Sequence, residues 1–147
     1  MSTIPSRINL VTLGVEDLPR STAFYLALGW TPSGPPSPEI TFIHTAGPLL
    51  ALFPFADLQE DIGLPKAPRA AGFGGITLAI NVETEEAVAV CLDDAVAHGA
   101  TLLKAATKVH WGGVSGYFAD PDGYPWEVAF NPFRPFDERG LLSAMPE

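Results

Sequence analysis

The sequence predicts an α+β fold built from two copies of one half, each running strand, helix, then several short strands. Three observations carry that expectation. Val11-Thr12-Leu13-Gly14-Val15 is echoed by Ile76-Thr77-Leu78-Ala79-Ile80, an internal repeat. Each copy leads into an acidic cap region, an amphipathic helical stripe and a glycine stop. Asp120-Pro121-Asp122-Gly123 puts a proline where a type I turn needs its preset φ and a glycine at the turn's end, which marks a hairpin. A half of this kind leaves an apolar sheet face open, so two must pack together to bury it.

Residues 8–15 read as the first strand. Asp17 caps the helix that follows, Pro19 is tolerated in its first turn, Phe24, Ala27 and Leu28 give its apolar spacing, and Gly29 stops it. The Pro/Gly/Ser-rich stretch 32–38 is a loop, residues 40–45 alternate like a strand, and 49–53 form a short apolar one. Residues 1–53 thus make the first module, and 54–74 a connector with Pro65, Pro68, several glycines and one turn of helix near Leu58. The second module, 75–132, restarts with a strand at 75–82. Thr84 caps its helix, Glu85 and Glu86 sit favourably at the positive end of the helix dipole, and Gly99 ends it. Val88, Cys91, Leu92, Ala95 and Val96 form the buried stripe, and strands follow near 101–106, 115–119 and 126–131. The tail, 133–147, mixes Phe133, Phe136 and Leu141 with Pro and Arg and reads as a segment draped over the body or a partner.

A chain of 147 residues, 47% hydrophobic, suits one domain or two small halves sharing a core. No apolar run approaches the roughly 20 residues of a membrane span. The start lacks a basic region followed by an apolar stretch, so the expected compartment is the cytoplasm, with no membrane partner. Cys91 is the single cysteine, which excludes an internal disulfide and a multi-thiolate site and leaves it a packing role. A net charge of −9, with only 8 Lys plus Arg, repels phosphate backbones, so nucleic acid is not an expected partner; the field favours cationic or neutral ligands.

Residues 9–30, NLVTLGVEDLPRSTAFYLALGW, resemble the opening of the glyoxalase/bleomycin-resistance/dioxygenase proteins of the vicinal oxygen chelate superfamily. Residues 111–132, WGGVSGYFADPDGYPWEVAFNP, resemble the same family's closing hairpin, in which the Asp-Pro-Asp-Gly turn is followed four residues later by Glu127. The resemblance implies two βαβββ modules curving into a cup that holds the ligand, and a homodimer. Metal-dependent relatives bind a divalent ion through His, Gln or Glu at four strand positions, a donor set suited to metals with open sites for substrate oxygens. Carried onto this sequence, those positions fall on Leu10, on Leu50 or Ala51, on Gly75 and on Glu127. Only Glu127 can ligate, so the expectation is no bound metal and no cofactor. Among the three histidines, His44 reads as an ordinary strand residue and His98 as a helix-end residue, while His110 stands near the cup's rim.

Strand alternation puts Glu127 and Ala129 on one face, which by the family pattern points into the cup, and the matching positions before the turn are Ser115 and Tyr117. Leu10, Thr12, Thr77 and Ala79 are expected to face the same space, with His110 and Trp111 above it. The result is a mostly apolar ligand pocket with Glu127 and Tyr117 as the candidate acid–base groups. The expected function is a metal-independent small-molecule binding protein of the bleomycin-resistance type, holding an aromatic or cationic compound. The alternative is a lyase, isomerase or dioxygenase using Glu127 as acid/base or metal ligand. A third reading is a regulatory partner with a vestigial cup.

Overall fold

The computed structural model describes residues 2–143. Its elements run β1 (Leu10–Val15), α1 (Leu18–Ala27), β2 (Thr41–Ile43), β3 (Leu49–Pro54), α2 (Phe55–Ile62), β4 (Leu78–Asn81), α3 (Glu85–Ala97), β5 (Thr101–Lys108), β6 (Val114–Ala119) and β7 (Pro125–Phe130). The strands form two sheets of the α+β fold, ordered β1-β3-β2 and β4-β7-β6-β5. In each, the opening strand runs parallel to the last strand of its half and the other pairs are antiparallel. The first sheet's counterpart of β5 is reduced to one bridge, Pro32 to Ile43. Proline cannot donate to a ladder, and the prolines and glycine around it hold the segment out of one.

Both long helices form where the caps dictate. Asp17 accepts a hydrogen bond from the Arg20 amide at 3.0 Å and Thr84 Oγ1 accepts one from the Ala87 amide at 3.2 Å. Just past their ends, Gly29 and Gly99 adopt φ of 88° and 114°. On α3, Val88, Leu92 and Ala95 are buried and Cys91 partly so; Val96, placed on the stripe by its spacing, is 43% exposed. It lies one position round the helix from Ala95, and the buried arc is narrower than the sequence suggests.

Two stretches differ most from the sequence reading. The connector contains a full helix, α2, which starts after Pro54 and stops at Gly63 in the left-handed region; it is amphipathic, but none of its residues is fully buried. It covers one face of β1: a Cβ on Gly14 would come within 2.8 Å of the Phe55 ring. Strand β4 begins at Leu78 rather than at 75, because Gly75 has φ of 90° and breaks the extended run.

The halves share one core. On β6, Val114, Gly116 and Phe118 face the helices; a Cβ on Gly116 would lie 2.5 Å from Leu92 of α3 and 2.8 Å from the Lys104 carbonyl oxygen of β5. Phe24 of α1 meets Phe118 edge-on at 6.4 Å, and Tyr25 lies 6.0 Å from Trp126 of β7. Helix α1 also packs on β3 of its own sheet. Its buried side chains therefore bind the first half to the helix-facing side of the second sheet.

Polar contacts reinforce this junction. Trp126 Nε1 donates to Tyr25 Oη at 3.1 Å, and Tyr25 Oη donates to Asp120 Oδ2 at 2.5 Å. Asp120 Oδ1 accepts the amides of Asp122 and Tyr124, which holds the hairpin turn closed. Asp122 accepts from Ser21 Oγ and from the Glu16 amide, and Tyr124 Oη donates to the Gly14 carbonyl at 2.8 Å. The Asp-Pro-Asp-Gly turn thus makes the hairpin and also fastens it to the end of β1 and the start of α1. Among the described residues, no buried side-chain polar atom lacks a partner.

Candidate functional site

The antiparallel register of β6 and β7 sets Tyr117 opposite Glu127 and Ser115 opposite Ala129. These four share the face turned away from Phe118, Trp126 and the helices. Tyr117 Oη donates to Glu127 Oε2 at 3.0 Å, and both residues are half-buried. Burial and, after it, the hydrogen bond to Glu127 push the Tyr117 phenol above its ordinary range. Ser115 and Ala129 are buried, so the accessible polar groups of this face are the Tyr117–Glu127 pair with Lys104 and Thr107 of β5 and Asn81 of β4 around it. Such a pair offers one carboxylate to a cation or a proton.

Ala79 stands opposite Glu127 in the parallel β4–β7 register and shares its face; Thr77 precedes β4 and is exposed. His110 lies exposed in the turn between β5 and β6, closed by the Val109 amide donating to the Gly113 carbonyl at 3.0 Å. Trp111, 38% exposed, folds its ring back over Gly113, where no side chain could fit. Phe133 covers Gly112 in the same way. The loop therefore edges the Tyr117–Glu127 face at the Ser115 end of β6.

Leu10 and Thr12 are exposed and share the face of β1 turned away from the core, but on the other sheet. With α1 packed against both sheets, the faces bearing Thr12 and Glu127 are the ones that look outward from the shared core. The structure brings Ser115, Tyr117, Glu127, Ala129 and Ala79 together and leaves Leu10 and Thr12 on the first module's separate outer face. His44 is exposed just past β2. His98 caps α3, with Nδ1 2.8 Å from the Asp94 carbonyl oxygen.

The residues do not fit a metal of the family's kind. Leu10, Leu50 and Ala51 have no donor atom in their side chains, and Gly75 lies outside any strand. Among the described residues, no three His, Cys, Asp or Glu side chains come together where they could hold a metal ion. Nor is any helix among them long and apolar enough to cross a membrane.

A feature that the sequence gives no sign of lies at the seam between the halves. A cavity of about 320 Å³ opens there, walled by Trp30, Trp126, Val11, Leu50, Leu78 and Ile80. Its residues come from six separate stretches of chain, and nothing in their spacing links them.

Comparison with known proteins matches residues 7–128 to the sequence profile of the Glyoxalase/Bleomycin resistance protein/Dioxygenase superfamily. The chain is similar in structure to a glyoxalase-related enzyme from Fulvimarina pelagi, at 38% identity and a TM-score of 0.86, over 97% of this chain and 100% of that one. It also resembles in fold a glyoxalase/bleomycin resistance protein/dioxygenase family enzyme from Burkholderia phytofirmans, at 22% identity and a TM-score of 0.76, over 85% and 98% of the two chains. A lactoylglutathione lyase from Agrobacterium tumefaciens shares the fold at 23% identity and a TM-score of 0.64, over 86% and 95%. No curated protein matches the chain.

Proposed function

This chain belongs to the glyoxalase/bleomycin resistance protein/dioxygenase superfamily, and we propose that within it the protein is a metal-independent small-molecule binder, cytoplasmic, acting as a homodimer. The observation that carries the reading is the Tyr117–Glu127 pair: the family's one remaining ligating position is satisfied by a phenol 3.0 Å away instead of by metal-binding neighbours. A half-buried carboxylate, in a chain of net charge −9, suits a cationic aromatic compound. Ser115 and Ala129 floor the site, and Trp111 and His110 border it.

A second copy supplies the rest. Leu10 is 48% exposed, Ile8 and Ile76 more so, and β1 and β4 are the free edges of their sheets. Setting the Leu10–Thr12 face of one protomer beside the Glu127 face of its partner buries this surface and completes the ligand-binding set with Leu10, Thr12 and Thr77. The test is a thermal-shift screen of planar cations and their neutral analogues, with Glu127→Gln as control. Stabilisation by cations that disappears in Glu127→Gln supports the reading; no stabilisation by any planar compound, cationic or neutral, contradicts it.

One observation favours a second reading. The Fulvimarina pelagi protein, 38% identical over nearly the whole chain, is named an enzyme. In that reading Glu127 moves a proton at a bound substrate, with Tyr117 hydrogen-bonded to it. Turnover lost in Glu127→Gln and kept in His44→Ala would identify it.

A further inference from the structure

The seam cavity meets the Tyr117–Glu127 face only along the β4 edge, at Ala79 and Asn81. On β7, Trp126 and Glu127 are consecutive and point to opposite sides of the sheet, so the cavity opens on the core side and the candidate site on the other. Trp30 and Trp126 meet edge-on at 5.6 Å and form an indole corner. Val11 and Leu50 come from the first sheet, and Leu78 and Ile80 from β4. At about 320 Å³ it stands at the small end of the range for ligand pockets.

The lining chemistry is selective. In a chain with 17 acidic residues, none of the cavity's lining residues is charged. The Thr45 hydroxyl is engaged, donating to the Pro48 carbonyl and accepting from the Gly47 amide. Asn81 pairs with Ala129 in the β4–β7 register, which puts its side chain on the Glu127 face and not on the core side. The pocket therefore offers apolar walls and an aromatic corner, which suits a neutral flat molecule. An ion of either sign would lose its hydration and find no counter-charge.

The C-terminal segment closes one side. Gly140, Leu141 and Leu142 line the cavity, and Leu141 lies against Gly47 of the facing loop. Their turn is a self-contained unit. Asp137 Oδ1 accepts the amides of Arg139 and Leu141, the Asp137 amide donates to the Leu141 carbonyl at 2.7 Å, and Phe136 bridges to Leu142.

We propose that the seam between the two modules is a second ligand site, for a neutral planar aromatic molecule, closed on one side by the turn at residues 137–142. The test titrates 2-naphthol into the full chain carrying Trp111→Phe, which leaves Trp30 and Trp126 as the emitting indoles. Saturable quenching is expected. It should weaken by about tenfold or more in Ala46→Phe, which fills the mouth from an exposed loop position. It should persist in Glu127→Gln, which separates this site from the one proposed above, and 2-naphthalenesulfonate should bind about tenfold more weakly than 2-naphthol. Equilibrium dialysis supplies a readout independent of the indoles. Absence of saturable binding, unchanged affinity in Ala46→Phe, or loss of binding in Glu127→Gln would each overturn the proposal.

Discussion

Tyr25 Oη donates to Asp120 Oδ2 at 2.5 Å across the junction of the two halves, from a helix of the first to the hairpin turn of the second. Burial, the neighbouring Asp120 charge and the hydrogen bond to it hold the phenol far above its ordinary pKa of 10.0. The sign of the linkage follows. The unfolded tyrosine ionises near 10.0 and the folded one does not, so this group's contribution is intact below pH 10 and is lost as pH rises beyond it. Stability measured by urea unfolding should therefore fall above about pH 10, and Tyr25→Phe should flatten that fall. At neutral pH the same substitution should cost about 1–3 kcal/mol, since Asp120 loses a buried donor and Trp126 Nε1 its acceptor.

Gly116→Ala should destabilise by about 1–3 kcal/mol, because the added methyl meets Leu92 of α3 and the β5 backbone at once and the sheet and helix must part to admit it. Thermal denaturation checks this. Gly34→Ala and Gly47→Ala are poor controls for opposite reasons, a positive φ and the seam loop; Gly74→Ala, with open space around its Cβ, should leave the melting temperature nearly unchanged.

Removing the N-cap of α1 by Asp17→Ala should cost about 1 kcal/mol, seen as a lower urea midpoint at constant slope. Asp17 lies outside the Tyr117–Glu127 pair, so the affinity for planar cations in the surviving folded fraction should not change.

Tyr117→Phe removes the donor to Glu127 Oε2 and frees the carboxylate. If Glu127 holds a cation, affinity should rise or stay level in Tyr117→Phe and fall by about tenfold or more in Glu127→Gln, read by calorimetry. Equal losses in the two variants would show that the pair acts as a hydrogen-bonded wall and not as a charge.

Much of this architecture is legible in the sequence, because its signals are local. The Asp17 and Thr84 caps, the glycine stops after each helix and the Asp-Pro-Asp-Gly turn each act within a few residues, and the structure has them all. The facing of Ser115, Tyr117, Glu127 and Ala129 follows from alternation alone. What is not legible depends on distant partners. Helix α2 is only eight residues long, has no side-chain cap and lies against a proline- and glycine-rich connector, so little besides its packing on Gly14 marks it as a full helix. The late start of β4 depends on the φ of Gly75, and the lost edge strand on Pro32. The separation of Leu10 and Thr12 from Glu127 follows from α1 packing between the sheets through Phe24 and Tyr25, a long-range arrangement with no sequence period. The seam cavity has the same origin.

The central claim is that this member of the superfamily binds its ligand without a metal ion, and the most direct test is the metal content of the purified protein. After incubation with Mn, Fe, Co, Ni and Zn and exhaustive dialysis, elemental analysis should find less than about a tenth of an equivalent of each, because a lone carboxylate cannot retain a transition ion against dialysis. One equivalent retained by the native chain and lost in Glu127→Gln would contradict the account and make Glu127 a metal ligand.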